Sequence, residues 1–461
     1  MLEASLTDQI AAGARTVIDL YDHLRSLRLR AEDQFADFVQ ANRTYLTPTE
    51  DEQARQLLVS YWHARNALLG TVAEFRTYAS EQRHVGDVQR DQVFLVGFTA
   101  ALVLVNAGRF LRELCKPNPI IAAKLNAPEP QFGIPAGVYN IVQENLTSPL
   151  TAWHLYHAQN HFARNKVAFA AAAASDETLL RVLDLANLLA ERLQVSTSRY
   201  ASARMHVRAG QVKRLLTQHT FGRATGWVIE MCSRAIGKIG VMPGHRPALP
   251  APIRQSLAQI LEPGDVIITR KQYAATNYFL PGFWPHGILY LGDCATLRQY
   301  GLHEHENMCS RWQRLMELDA SEPRRVLEAM ADGVHLRSML SAYSVDAAAV
   351  IRPRLSMEQR IEAIGRGLFH EGKPYDFDFD FTRSHRLVCT EVIYRSYEGI
   401  GGLEFPLTPR VGRLTLAAED LLRMAIDGRG FDVVAVYLPG AESIVSNAEA
   451  ITALRATLDV T

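Results

Sequence analysis

The sequence predicts an α+β fold in two parts: an all-α helical bundle over residues 1–240, then a sheet-bearing domain over 255–440. Three observations lead there. Up to about Gly240 apolar residues recur at three- and four-residue steps, and strand-like alternation is nearly absent. The stretch GVMPGHRPALPAP, Gly240 to Pro252, concentrates proline and glycine and cannot continue a helix, so 241–254 reads as a linker. Beyond it the chain turns to short β-rich runs bounded by turns, without the strict alternation of strand and helix that a parallel sheet requires.

In the first part, Thr49-Glu50-Asp51-Glu52 has the capping-box form ahead of LLVSYWHARNALLGTVAEF. The apolar run VFLVGFTAALVLV, Val93 to Val105, falls short of the ~20 residues a membrane span needs and reads as a buried core helix. NAPEPQFGIPAGVYN, through Pro128 to Asn140, is a loop by its Pro and Gly content. Ser175-Asp176-Glu177 sets a cap and two acids before LLRVLDLANLLAERL, a helix expected to run on through Arg204 toward Leu216. In the second part GDVIITR, HGILYLG, RRVLEAM and FDVVAVYLP are strands, and SMEQRIEAIGRGLF, CTEVIYRSYEG and AAEDLLRMAID are helices by period. Residues 441–461 read as a C-terminal tail.

Composition narrows the function. The 461 residues carry 49 Lys plus Arg against 49 Asp plus Glu, so no global field recruits nucleic acid or an anionic membrane, though a local patch stays open; neither nucleic acid nor an integral membrane span is expected. The five cysteines, Cys115, Cys232, Cys294, Cys309 and Cys389, are scattered and form no CxxC pair, which suits a reducing compartment. The first residues show no basic segment followed by an apolar one, so the expected location is cytoplasmic.

Chemistry gathers at a few positions. In FWPHGILYLG, His286 heads an apolar strand directly behind an aromatic-proline turn. Cys389 stands where the helix CTEVIYRSYEG begins, where unpaired N–H groups and the dipole favour a thiolate. A nearby imidazole lowers the thiol pKa further and supplies a proton to a leaving group. The alternating carboxylates of DFDFDF begin like a calcium loop, but Phe381 and Leu387 stand at positions six and twelve, where glycine and glutamate are needed. HEHENMC, His303 to Cys309, lacks the second cluster of a zinc site. No metal and no cofactor is expected.

With GDVIITR, PGFWPHGILYLGD, VLEAMADGV, GKPYDFDFDF and VCTEVIY in this order, residues 255–440 resemble the permuted NlpC-type, papain-like cysteine hydrolases, the YiiX/YaeF-like proposed amidases. The resemblance implies a circularly permuted papain-like α+β domain with chain order histidine, polar residue, cysteine, hence His286, Glu328 and Cys389 as a triad. Asp293 and His335 are alternatives to Glu328 for orienting the imidazole. CTE stands where the family pattern has CSE. Tyr375 resembles a tyrosine beside the nucleophile in unpermuted relatives, where it could donate to an oxyanion; as an alternative it is a core anchor. The backbone N–H of Cys389 is a further oxyanion donor. The loop KQYAATNYFLPGFWP would wall a cleft, with Phe279, Phe283 and Trp284 touching an apolar part of the substrate, or else it packs on the helical part. The expected substrate is a small amide, peptide or acyl compound, the expected activity hydrolysis or acyl transfer. A non-catalytic scaffold whose helical part binds a protein or lipid is the contrasting expectation.

Overall fold

Leucine-rich periodicity in the first half becomes a series of helices: α1 (Leu6–Gln34), α2 (Ala36–Gln40), α3 (Pro48–Ser80), α4 (Asp87–Cys115), α5 (Pro119–Lys124), α6 (Val138–Thr147), α7 (Pro149–Arg164), α8 (Lys166–Ala173) and α9 (Glu177–Arg192). The computed structural model describes residues 6–40, 43, 45–80, 86–193, 247–271, 282–318, 322–410 and 413–458. Cys232, Phe279, residues 241–246 of the expected linker and the expected run of α9 through Arg204 toward Leu216 lie outside the described residues. The chain divides into two compact units, the first drawn from residues 5–130 and 134–244 and the second from 245 onward.

Within the helical unit, α4 touches α1, α3, α6, α8 and α9. It is longer than its apolar run implies. At 29 residues α4 is long and apolar enough to cross a membrane by length and composition, while 78% of its most apolar window is buried inside the protein. The cap of α3 also differs from the sequence reading: Thr47, not Thr49, starts it. The Thr47 N–H donates to Glu50 Oε2 at 2.8 Å and the Glu50 N–H donates back to Thr47 Oγ1 at 3.3 Å, with Pro48 at the first helical position, where its missing N–H costs nothing. The cap of α9 is Asp176, one residue after the expected Ser175, and it accepts from the Leu179 N–H at 3.0 Å.

The second unit begins earlier than its strands. Helix α10 (Ala251–Ile260) occupies the end of the expected linker, and Leu249, Ile253 and Leu257 belong to the core with Ile267, Ile288, Tyr290, Val326 and Val350. The elements that follow are β1 (Val266–Arg270), β2 (His286–Asp293), α11 (Cys294–Gln299), α12 (Glu306–Cys309), α13 (Trp312–Glu317), β3 (Arg324–Met330), β4 (Gly333–Ser338), α14 (Leu340–Tyr343), β5 (Ala347–Pro353), α15 (Met357–Leu368), α16 (Cys389–Tyr397), β6 (Thr408–Arg410), β7 (Arg413–Thr415), α17 (Ala418–Ile426), β8 (Phe431–Tyr437), β9 (Val445–Ser446) and α18 (Asn447–Leu458). Seven strands form one antiparallel sheet in the order β4-β3-β2-β1-β5-β8-β9. α16 packs on β2, β3 and α15. Residues 441–458 are no tail: β9 pairs with β8, and α18 buries Ala450, Leu454 and Leu458.

The β3–β4 turn depends on one glycine. Gly333 has φ +101°, and a Cβ there would lie 2.6 Å from the Lys373 carbonyl oxygen, which already accepts the Val334 N–H at 2.8 Å. Gly333→Ala therefore combines backbone strain with a clash against fixed main chain. It is expected to lower unfolding free energy by about 2 kcal/mol or more, read by chemical denaturation.

Candidate active site

His286 is mounted at the first residue of β2, where it pairs across to Thr269 of β1. The turn before it is tied on three sides. The Phe283 N–H donates to Glu419 Oε1 at 2.6 Å, with the Trp284 N–H at 3.4 Å from the same oxygen. Arg270 donates to the Phe283 carbonyl at 2.8 Å and lays its guanidinium 4.5 Å from the centre of the Phe283 ring. Trp284 Nε1–H donates to Thr457 Oγ1 at 2.9 Å. Gly282, with φ +119°, leaves the space that the Glu419 carboxylate fills. Trp284 is 1% exposed. Its expected place against a substrate is therefore corrected: with its ring buried and its one donor committed, it anchors the turn. Phe283 is only partly buried, with Arg270 over its face.

Glu328 comes from the neighbouring strand β3 and is 2% exposed. His286 Nε2 lies 3.0 Å from Glu328 Oε2, which leaves Nδ1 for Cys389. The other carboxylate oxygen accepts from the Ser341 hydroxyl and stands 3.2 Å from Arg337 Nε. Burial alone would raise this carboxyl, but His286, Arg337 and Ser341 overcome it and hold it at about 2. The two alternatives for the third position are employed elsewhere. Asp293, at the far end of β2, caps α11 by accepting from the Thr296 N–H and hydroxyl at 2.8 and 2.9 Å. His335 sits opposite Glu328 across the β3–β4 ladder and directs Nε2 to the Asp332 carbonyl at 2.8 Å.

Cys389 is the first residue of α16 and is 3% exposed. Burial pushes the thiol up, yet the His286 imidazole and the backbone N–H groups of Gly287 and Thr390 outweigh it, so the thiol titrates below its usual range. The same partnership acts in reverse on His286. Burial disfavours the imidazolium, while the Cys389 thiolate and Glu328 raise its pKa well above the ordinary imidazole value. Each partner thus favours the charged form of the other, and a quarter of the His286 side chain remains open to solvent. Gly287 keeps α16 close, because a Cβ there would meet Ile393 Cδ1 at 2.6 Å.

Tyr375 is buried, and its hydroxyl pKa is pushed far up, first by burial and next by the Cys389 charge. Its ring packs 5.0 Å from that of Phe377. The DFDFDF stretch owes its alternation to packing. Phe377 and Phe379 are buried, Asp376 accepts the N–H groups of Asp378 and Asp380 at 3.0 and 2.7 Å, and Asp378 meets Arg383 at 3.2 Å. In HEHENMC, His305 Nδ1 accepts from the Asn307 N–H at 3.2 Å. Among the described residues no three His, Cys, Asp or Glu side chains are grouped as metal ligands. Ser341, Arg337, Glu419 and the Gly287 N–H had no local sequence signal, since each meets the site only through strand register or tertiary packing.

Residues 260–441 match the family described as permuted papain-like amidase enzymes, YaeF/YiiX, C92 family. The match runs from the end of α10 through β8 and takes in His286, Glu328 and Cys389, so this segment of mixed helix and sheet is similar to a permuted papain-like domain. The helical unit lies outside it. No curated protein and no solved structure matches the chain.

Proposed function

We propose that the second unit is a thiol hydrolase acting on an amide or ester carbonyl of a small amide, peptide or acyl compound. The observation that carries this reading is the line of contacts from Cys389 through His286 to Glu328, in which the sulfur and the ring each favour the charged form of the other. The Cys389 thiolate adds to the carbonyl carbon, and in this reading the Tyr375 hydroxyl, whose pKa feels the Cys389 charge, donates to the oxygen that gains charge. The imidazolium then gives its proton to the departing amine or alcohol as that bond breaks, leaving a thioester on Cys389. Neutral His286 next takes a proton from water, whose oxygen attacks the thioester. The carbon–sulfur bond breaks, and thiolate and imidazolium are restored. Glu328 keeps the ring turned toward sulfur throughout. Unpaired cysteines among the described residues accord with a reducing, cytoplasmic setting.

Trapping tests this reading. The full chain mixed with a p-nitrophenyl ester and digested for mass spectrometry is expected to show an acyl group on the peptide containing Cys389, disappearing in water. An adduct that persists until an amine or alcohol is supplied would make the enzyme an acyltransferase. Acylation absent from Cys389 would remove the nucleophile and with it the proposed activity.

A further inference from the structure

The β3–β4 hairpin places more charge behind His286 than a triad needs. Glu328 pairs with His335 in the ladder and Val326 with Arg337, so Arg337 lies diagonally from Glu328 on the same face. Its Nε stands 3.2 Å from Glu328 Oε1, and its Nη2 is 2.5 Å from Asp332 Oδ1. All three side chains are largely buried, at 2% for Glu328, 4% for Asp332 and 19% for Arg337. Charges therefore alternate along one line: Asp332, Arg337, Glu328, His286, Cys389. We propose that Arg337, backed by Asp332, is a positioning residue that tunes the Glu328–His286 pair.

The physical argument concerns a shared carboxylate. With Ser341 and Arg337 on Oε1, Oε2 is left to face His286. Arg337 is always charged, so it also cancels part of the negative field that Glu328 exerts on the imidazolium. The strength of the thiolate–imidazolium pair is thus set two side chains away from sulfur. The other ionisable groups around the line are His335, which bonds the Asp332 carbonyl, and, on the sulfur side, Tyr375 with Asp376 beyond it.

The inference rests on the Cys389–His286 reading, and one experiment separates the failure of each. The rate of Cys389 carboxymethylation by iodoacetate, followed by peptide mass spectrometry across pH, should rise as thiolate forms and fall as the imidazolium that attracts the anionic reagent loses its proton. Arg337→Gln removes a positive charge, so the alkaline limb should move up by roughly half a pH unit or more. Arg337→Lys should keep the parental limb. Asp332→Asn, which frees the arginine charge to act on Glu328, should move the limb down. Opposite shifts from two folded variants are the expected result, since loss of structure alone would move both the same way. Limbs that stay put in folded variants, or shift together, overturn the role of Arg337 while leaving the hydrolase reading intact. A parent without any alkaline limb and with slow Cys389 overturns both. Should Arg337→Gln fail to fold, the downward shift in Asp332→Asn decides alone.

Discussion

His286→Ala is expected to slow alkylation of Cys389 at pH 7 by roughly 30-fold and to cut turnover of any ester or amide substrate by roughly 10²–10⁴-fold. In the parent, the imidazole pKa is raised to about 9 and the thiol pKa is lowered, each partner favouring the charged form of the other. Removing the ring leaves a buried sulfur with only the N–H groups of Gly287 and Thr390 to offset burial. The thiol then returns to ~8.5 or above, and only a few per cent is thiolate at pH 7. The sign for stability follows from the same shift. Because folding raises the histidine pKa, its contribution is fully present below about pH 6.5, and it is lost as pH rises toward about 9. Iodoacetamide labelling across pH checks the first point, and thermal melts at pH 6 and pH 9.5 check the second. Equal reactivity in parent and variant would mean that Cys389 is an inert core residue.

The second large effect concerns stability. Asp265→Ala should cost about 3 kcal/mol or more, measured by urea denaturation. Asp265 is fully buried ahead of β1, accepts Arg352 Nε and Nη2 at 2.7 and 2.8 Å, and also receives the Glu262 N–H at 2.8 Å. Removing it leaves an arginine half-paired on the interior strand β5 and an amide without its acceptor. Asp265→Asn keeps an oxygen acceptor for one of these groups and should lose less. Labelling of Cys389 well below the melting temperature should be unchanged in both, because this ion pair sits at the opposite end of β1 from His286.

Much of the sheet was legible because its strands announce themselves locally. GDVIITR, HGILYLG and FDVVAVYLP carry β-branched and aromatic residues, RRVLEAM only Val326, and each became a strand. β5 was not legible: Ala347, Ala348 and Ala349 have little β propensity, and burial between β1 and β8 overrides it. The expected linker and tail failed for a related reason, since proline and polar residues mark where a helix starts without saying whether its far face is buried. At the site, the order of motifs left Glu328, Asp293 and His335 open, and it is the side-by-side placing of β2 and β3 that sets Glu328 against His286. Trp284 was misread because an aromatic residue in a loop looks the same whether it faces a cleft or a core; only Thr457, 173 residues onward, decides.

That tie to Thr457, together with the Glu419 clamp on the same turn, has a consequence for synthesis. His286, Glu328 and Cys389 all leave the ribosome before Glu419 and Thr457, so a nascent chain can carry every reacting group while its histidine turn still lacks two of its three fastenings. Those two fastenings come from α17 and α18, so the part of the chain that seats His286 is the last to be made.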